Sequence, residues 1–209
     1  MRTWKAMVSA NVIFGLAGFI VTAFFCSSAQ ADAYDDAIAA SKRRDYETAV
    51  QLIQPLADAG DARAQNVLGY FYDHGLGVPV DHERAFNWYM SAAKQGNAGA
   101  ELNLCASYAK GTGVEQDVKE GMRWCFVAAK KNLAEAHFNL GNTYAVGEYG
   151  LAQDDVRSYM HYKLALEHSE EPLLKKFASE SIEYLHRNMS QADIAKAEMM
   201  AAAWPQELP

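Results

Sequence analysis

Residues 62–77 read ARAQNVLGYFYDHGLG and residues 98–113 read AGAELNLCASYAKGTG. Laid over one another at an offset of 36, they share Ala62 with Ala98, Ala64 with Ala100, Leu68 with Leu104, Tyr72 with Tyr108, Gly75 with Gly111 and Gly77 with Gly113. The same offset carries Asp81, Ala92 and Ala93 onto Asp117, Ala128 and Ala129. A further 36 residues reach Ala134, Ala136, Leu140, Tyr144 and Gly147, and one inserted residue near Glu148 restores the register at Gly150, Asp154, Tyr162 and Ala165. A fixed period of this length marks stacked units, each too small to bury its own apolar face. It gives three full repeats, 62–97, 98–133 and 134–170. One backward step sets Asp45, Ala49, Gly60 and Asp61 on Asp81, Ala85, Gly96 and Asn97, a degenerate leading helix pair within 32–61.

Within a repeat, Ala64, Leu68 and Tyr72 recur every four residues, which is one apolar stripe of an amphipathic helix. Asp45, Asp81, Asp117 and Asp154 precede a second helical pattern, where a carboxylate accepts from free N–H groups of the first turn. Gly60, Gly96 and Asn132 follow that second helix and suit the positive φ that ends it. Small residues at Ala49, Ala85, Gly121 and Ser158 let the two helices approach closely. The predicted architecture is therefore all-α, an α/α solenoid of antiparallel helix pairs. Past Glu171 the period stops. Pro172 suits the first turn of a helix over 171–187, and Ser190 to Asp193 opens a last one ending near Trp204, so 171–209 is expected to form terminal capping helices. Met199, Met200 and Trp204 are expected to bury on the preceding helices, the alternative being a docking helix on which they present an adaptable apolar surface.

The alanine, leucine-glycine, tyrosine, G-x-G-V and W-Y…A-A pattern resembles the Sel-one-like repeat, a subclass of the tetratricopeptide-like α/α repeats. The resemblance implies a superhelix that binds proteins or peptides as an adaptor or regulator. It also implies that the first helices line a concave wall. Carried over by register, the wall positions are Arg63, Asn66, Tyr70, Asp73 and His74 in the first repeat, Leu102, Ala106 and Lys110 in the second, and Glu135, Phe138 and Asn142 in the third. Tyr70, Leu102 and Phe138 are expected to form an apolar strip for an extended or helical partner segment, with Arg63 and Lys110 at its rim. Three positions depart from the pattern. Cys105 replaces the glycine of Gly69 and Gly141, Cys125 the tyrosine of Tyr89 and Tyr162, and His161 the tryptophan of Trp88 and Trp124.

Arg2 and Lys5, the apolar run from Ala6 to Phe25, and Ala29-Gln30-Ala31 read as a secretory signal over 1–31, cleaved before Asp32. The competing reading is an uncleaved membrane anchor. Cleavage makes the protein periplasmic or secreted, with no stable membrane span, and leaves two cysteines in an oxidising compartment. Because Cys105 and Cys125 replace the two partners of a close contact between the same two helices, they are expected to form a disulfide.

The full chain of 209 residues carries a formal charge of −7, and the part after residue 31 holds 17 basic against 26 acidic side chains. That balance argues against nucleic acid as a partner. The chain contains no G-x-S-x-G, H-E-x-x-H, P-loop, G-x-G-x-x-G or C-x-x-C motif. Neither His74 with His82 nor His161 with His168 has a third ligand at suitable spacing, so these imidazoles are expected to face solvent or pack partly. No catalytic residue, metal or cofactor is expected. The favoured reading is a non-enzymatic interaction scaffold of the bacterial cell envelope. The alternative is a cell-wall-ligand-binding protein or envelope hydrolase whose cleft is lined by acids such as Glu101 and Glu135, although both are expected on exposed faces.

Overall fold

The computed structural model describes residues 33–204. The expected signal over 1–31 and residues 205–209 of the expected cap lie outside the described residues. Ten helices and no strand are found among the described residues, in the order α1 (33–42), α2 (Tyr46–Asp58), α3 (Ala62–His74), α4 (His82–Ala93), α5 (Ala98–Lys110), α6 (Val118–Lys130), α7 (Ala134–Val146), α8 (Asp155–His168), α9 (Pro172–Asn188) and α10 (Gln191–Ala202). Contacts run mainly between neighbours, α3 with α4, α5 with α6 and α7 with α8, as an α/α solenoid requires.

The repeated residues explain the repeated ends. Asp45, Asp81, Asp117 and Asp154 each accept from the backbone N–H three residues on, at 3.3, 3.0, 2.9 and 2.9 Å. Asp61 and Asn97 cap α3 and α5 in the same manner, whereas Leu133 stands at that place before α7 and offers no side-chain acceptor. The first helices end on Gly75, Gly111 and Gly147, all left-handed, and Asn132 takes φ 59° after α6 where glycine stands after α2 and α4.

Packing within a repeat turns on one contact. A Cβ on Gly69 would lie 2.7 Å from the Tyr89 ring, and one on Gly141 2.7 Å from the Tyr162 ring, so the glycine is needed for the tyrosine to lie flat on the first helix. In the middle repeat those two places hold Cys105 and Cys125, which are joined in a disulfide with Cα atoms 5.1 Å apart. The bridge takes over the position of the ring.

Buried apolar residues form four clusters along the array. The first joins α1, α2 and α3 through Ala37, Ile53, Leu68 and Phe71. The second is built by α4 and α5, the third by α5, α6 and α7 around the disulfide, and the fourth by α8, α9 and α10. Side-chain amides tie the array together: within the first repeat Gln95 donates to Gln65 at 2.8 Å and Asn97 to the Ala62 carbonyl at 3.3 Å, and Asn103 of the second repeat donates to Asn66 of the first at 3.0 Å. At the C-terminal end, α9 and α10 both lie against α8. Trp204, just beyond α10, packs on the third and fourth clusters and Met200 on the fourth, while Met199 is 67% exposed, so the expected burial fails for that one residue. Successive helix residues point about 100° apart, and Met199 falls on the outer side of α10.

Candidate functional site

The wall positions fall into columns set by the repeat. Tyr70, Ala106 and Asn142 are equivalent, one per first helix, and all three are exposed. So are His74, Lys110 and Val146, one helical turn further on. Val146 is a wall residue beyond those expected, and its equivalence to His74 and Lys110 is the signal in the sequence that marks it. Asn66, Leu102 and Phe138 form an inner column and are half-buried. Arg63 and Glu135 are exposed and Asp73 is half-buried.

Several of these side chains have a defined setting. Arg63 pairs with Asp61 at 3.1 Å and lies over the Tyr34 ring at 4.3 Å, which ties the first wall helix to α1. Tyr70 is 44% exposed and stacks on His74 with ring centres 4.0 Å apart. Asp73 meets His82 at 2.7 Å and His74 at 3.7 Å, so the two histidines that flank the glycine turn converge on a carboxylate. Leu102 packs on the third cluster, and Phe138 packs on the fourth with its ring 5.5 Å from Tyr162.

Two cavities open along this face. One of about 530 Å³ brings together Ala106, Lys110, Asn142 and Val146 with Tyr162 and the Cys105–Cys125 bridge. Tyr162 donates to Asn142 at 2.7 Å across its floor. The second, about 450 Å³, holds Phe138 and Tyr162 opposite Phe177 and Tyr184 of α9. Arg63, Asn66, Tyr70, Asp73, Leu102 and Glu135 line neither cavity.

Two expectations are corrected. Glu101 does not face solvent: it is 2% exposed and forms an ion pair with Lys131, whose ammonium also donates to the Gly96 carbonyl at 2.9 Å. The first turn of α5 packs against the end of α4 and the loop after α6, so an acid there is enclosed and needs a cation. Glu135 is exposed, as expected.

His161 is likewise buried, 1% exposed, and its partner is His137 of α7, with their Nδ1 atoms 3.0 Å apart. Tyr144 stacks on His161, and the Trp204 ring meets His137 and His161 edge-on at 5.0 and 5.3 Å. The tryptophan that the third repeat lacks at position 161 is thus supplied by the end of α10. Burial pushes the His137 pKa down to about 4, with His168 adding repulsion, and burial pushes His161 down to about 3, aided by His137 and Arg157. Both imidazoles are neutral at neutral pH, one donating to the other. His168 lies 6.1 Å from His137 between ring centres, and no group of three His, Cys, Asp or Glu among the described residues is placed to hold a metal.

A stack of helix pairs with a fixed core and varied exposed columns defines an α/α repeat protein. The Sel1 repeat family model matches residues 37–61, 62–97, 98–133 and 134–169, and the chain belongs to that family. Among solved structures it is similar to a Sel1 repeat protein from Oxalobacter formigenes, with 35% identity and a TM-score of 0.59 over 66% of this chain and 55% of that one. It is also similar to a protective antigen of uropathogenic Escherichia coli displaying an SLR fold, with 25% identity and a TM-score of 0.72 over 85% of this chain and 38% of that one. The chain therefore spans little more than half the length of the first and less of the second. No curated protein matches it.

Proposed function

We propose that the protein is a non-enzymatic interaction scaffold of the bacterial cell envelope that binds a protein or peptide segment along its first-helix wall. The observation that carries this reading is the pair of exposed columns, Tyr70, Ala106, Asn142 and His74, Lys110, Val146. The core behind them repeats, while the chemistry they present changes from unit to unit, as suits recognition of one particular segment. Arg63 and Lys110 set the orientation of that segment, with Asn66, Asp73, Leu102, Glu135 and Phe138 bordering its path. The envelope part of the reading rests on the expected signal over 1–31 and is supported by the disulfide. No helix among the described residues is long and apolar enough to cross a membrane.

The test is site-specific photocrosslinking in cells. A photoreactive residue at 70, 106 or 142 is expected to capture one and the same protein, and one at the exposed Asn87 of α4 is not. Equal capture from Asn87 rejects the wall. N-terminal sequencing of the soluble envelope fraction is expected to start at Asp32, and membrane-bound protein starting at Met1 restores the anchor reading.

A further inference from the structure

Apart from the wall columns, α6, α7, α8 and the end of α10 line an open cavity of about 400 Å³, within the range that holds small molecules. Its walls are aromatic and thioether: Tyr144, Met160, Met200 and the Trp204 indole. Three cations reach it, Arg123 and Lys130 from α6 and Arg157 from α8, and among the described residues no carboxylate lines it. In a chain with a formal charge of −7 this concentration of positive charge is local and against the general trend.

The cations are not equivalent. Arg123 is paired at 2.6 Å with Glu120 in the first turn of α6 and Arg157 at 3.6 Å with Asp154, the N-cap of α8, and Arg157 also lies over the Tyr144 ring at 5.5 Å. Lys130, exposed at the end of α6, forms no ion pair among the described residues, unlike the two arginines. The wall imidazole, His161, has its pKa pushed down by burial and brings no positive charge at neutral pH.

We propose that this cavity binds a small amphipathic carboxylate, its aromatic or hydrocarbon body against Tyr144, Met160 and Trp204 and its carboxylate toward Lys130 and Arg157. Methionines adapt to the outline of such a body, and an arginine held over a tyrosine keeps its fork directed at an anion. The site is separate from the wall columns, since none of the columns' residues lines it.

Titration calorimetry on the mature protein at pH 7.5 tests this with two isosteric probes, 1-naphthaleneacetate and its neutral amide. The carboxylate is expected to bind at least tenfold more tightly than the amide, with the preference shrinking as salt is raised. Lys130→Gln, at an exposed position that leaves the core intact, is expected to weaken the carboxylate at least fivefold and leave the amide unchanged. Lys119→Gln, on the same helix but away from the cavity, is expected to change neither. Equal affinity for the two probes, no binding of the carboxylate at millimolar concentration, or the same loss from Lys119→Gln as from Lys130→Gln each overturns the proposal.

Discussion

Acidification should destabilise this fold through two residues, His137 and His161. In the folded chain both imidazoles are enclosed and neutral, with pKa values near 4 and 3, while an unfolded histidine titrates near 6.5. A folded pKa below the unfolded one means that protons bind the unfolded chain first. The stabilisation is therefore complete above about pH 6.5 and is lost as pH falls, down to about 4 for His137 and about 3 for His161. At pH 5 each histidine costs about 2 kcal/mol relative to pH 7.5, or about 4 kcal/mol for the pair. Carboxylates also respond over this range, so the measurement is a comparison. Urea unfolding of the wild type and of His137→Leu/His161→Phe should be followed at pH 7.5, 6.0 and 5.0. With a urea slope of about 2 kcal/mol per molar, the wild-type midpoint should fall by about 2 M more than that of the variant. Parallel pH profiles for the two proteins would show that the imidazoles are not held neutral, and the account of the α7–α8–Trp204 contact would have to be abandoned.

Three further outcomes follow from the packing. Gly141→Ala drives a methyl into the Tyr162 ring and should cost about 1–3 kcal/mol, read as a lowered thermal midpoint. Denatured, unreduced mature protein should show no free thiol, and removing the 20-residue-separation bridge with Cys105→Ala/Cys125→Ala should cost about 3 kcal/mol; two reactive thiols would refute the pairing. Asp117→Ala leaves the first turn of α6 without its 2.9 Å acceptor and should cost about 1 kcal/mol, whereas changing Leu133, which makes no such bond, should have no capping penalty.

The helix pairs could be read from the chain because their determinants are local and repeated. Asp81 and Asp117 cap by touching a backbone three residues away, and Gly75 and Gly111 end helices by their own φ. The pairing of Cys105 with Cys125 was legible for a related reason: each stands in a column whose other members, Gly69 with Tyr89 and Gly141 with Tyr162, already meet. What escaped the sequence lies between units or beyond the period. Glu101 looks like any surface acid until Lys131, at the end of the next helix, is folded against it. His137 gives no sign of meeting His161, because the alignment column that holds His161 predicts a tryptophan, and the indole that fills the space comes from position 204, outside every repeat. The wall was legible as columns, but the reach of α9 over Phe138 was not, since nothing in residues 171–187 specifies the angle at which that helix leaves α8.

The disulfide in the middle repeat also matters when the chain is pulled. A linear array transmits tension from one end to the other through each unit in turn, and an unbridged unit that gives way pays out its whole contour. Here the covalent link shorts the path from residue 105 to residue 125, so the load crosses 5.1 Å of bridge instead of the intervening backbone. About 65 Å of extension is withheld from the central unit at roughly 3.3–3.6 Å per residue. The last turn of α5, the glycine turn and the first turns of α6 sit inside that loop and bear no force. Pulled from its two ends, the array therefore gives up less length from its middle repeat than from the unbridged repeats on either side.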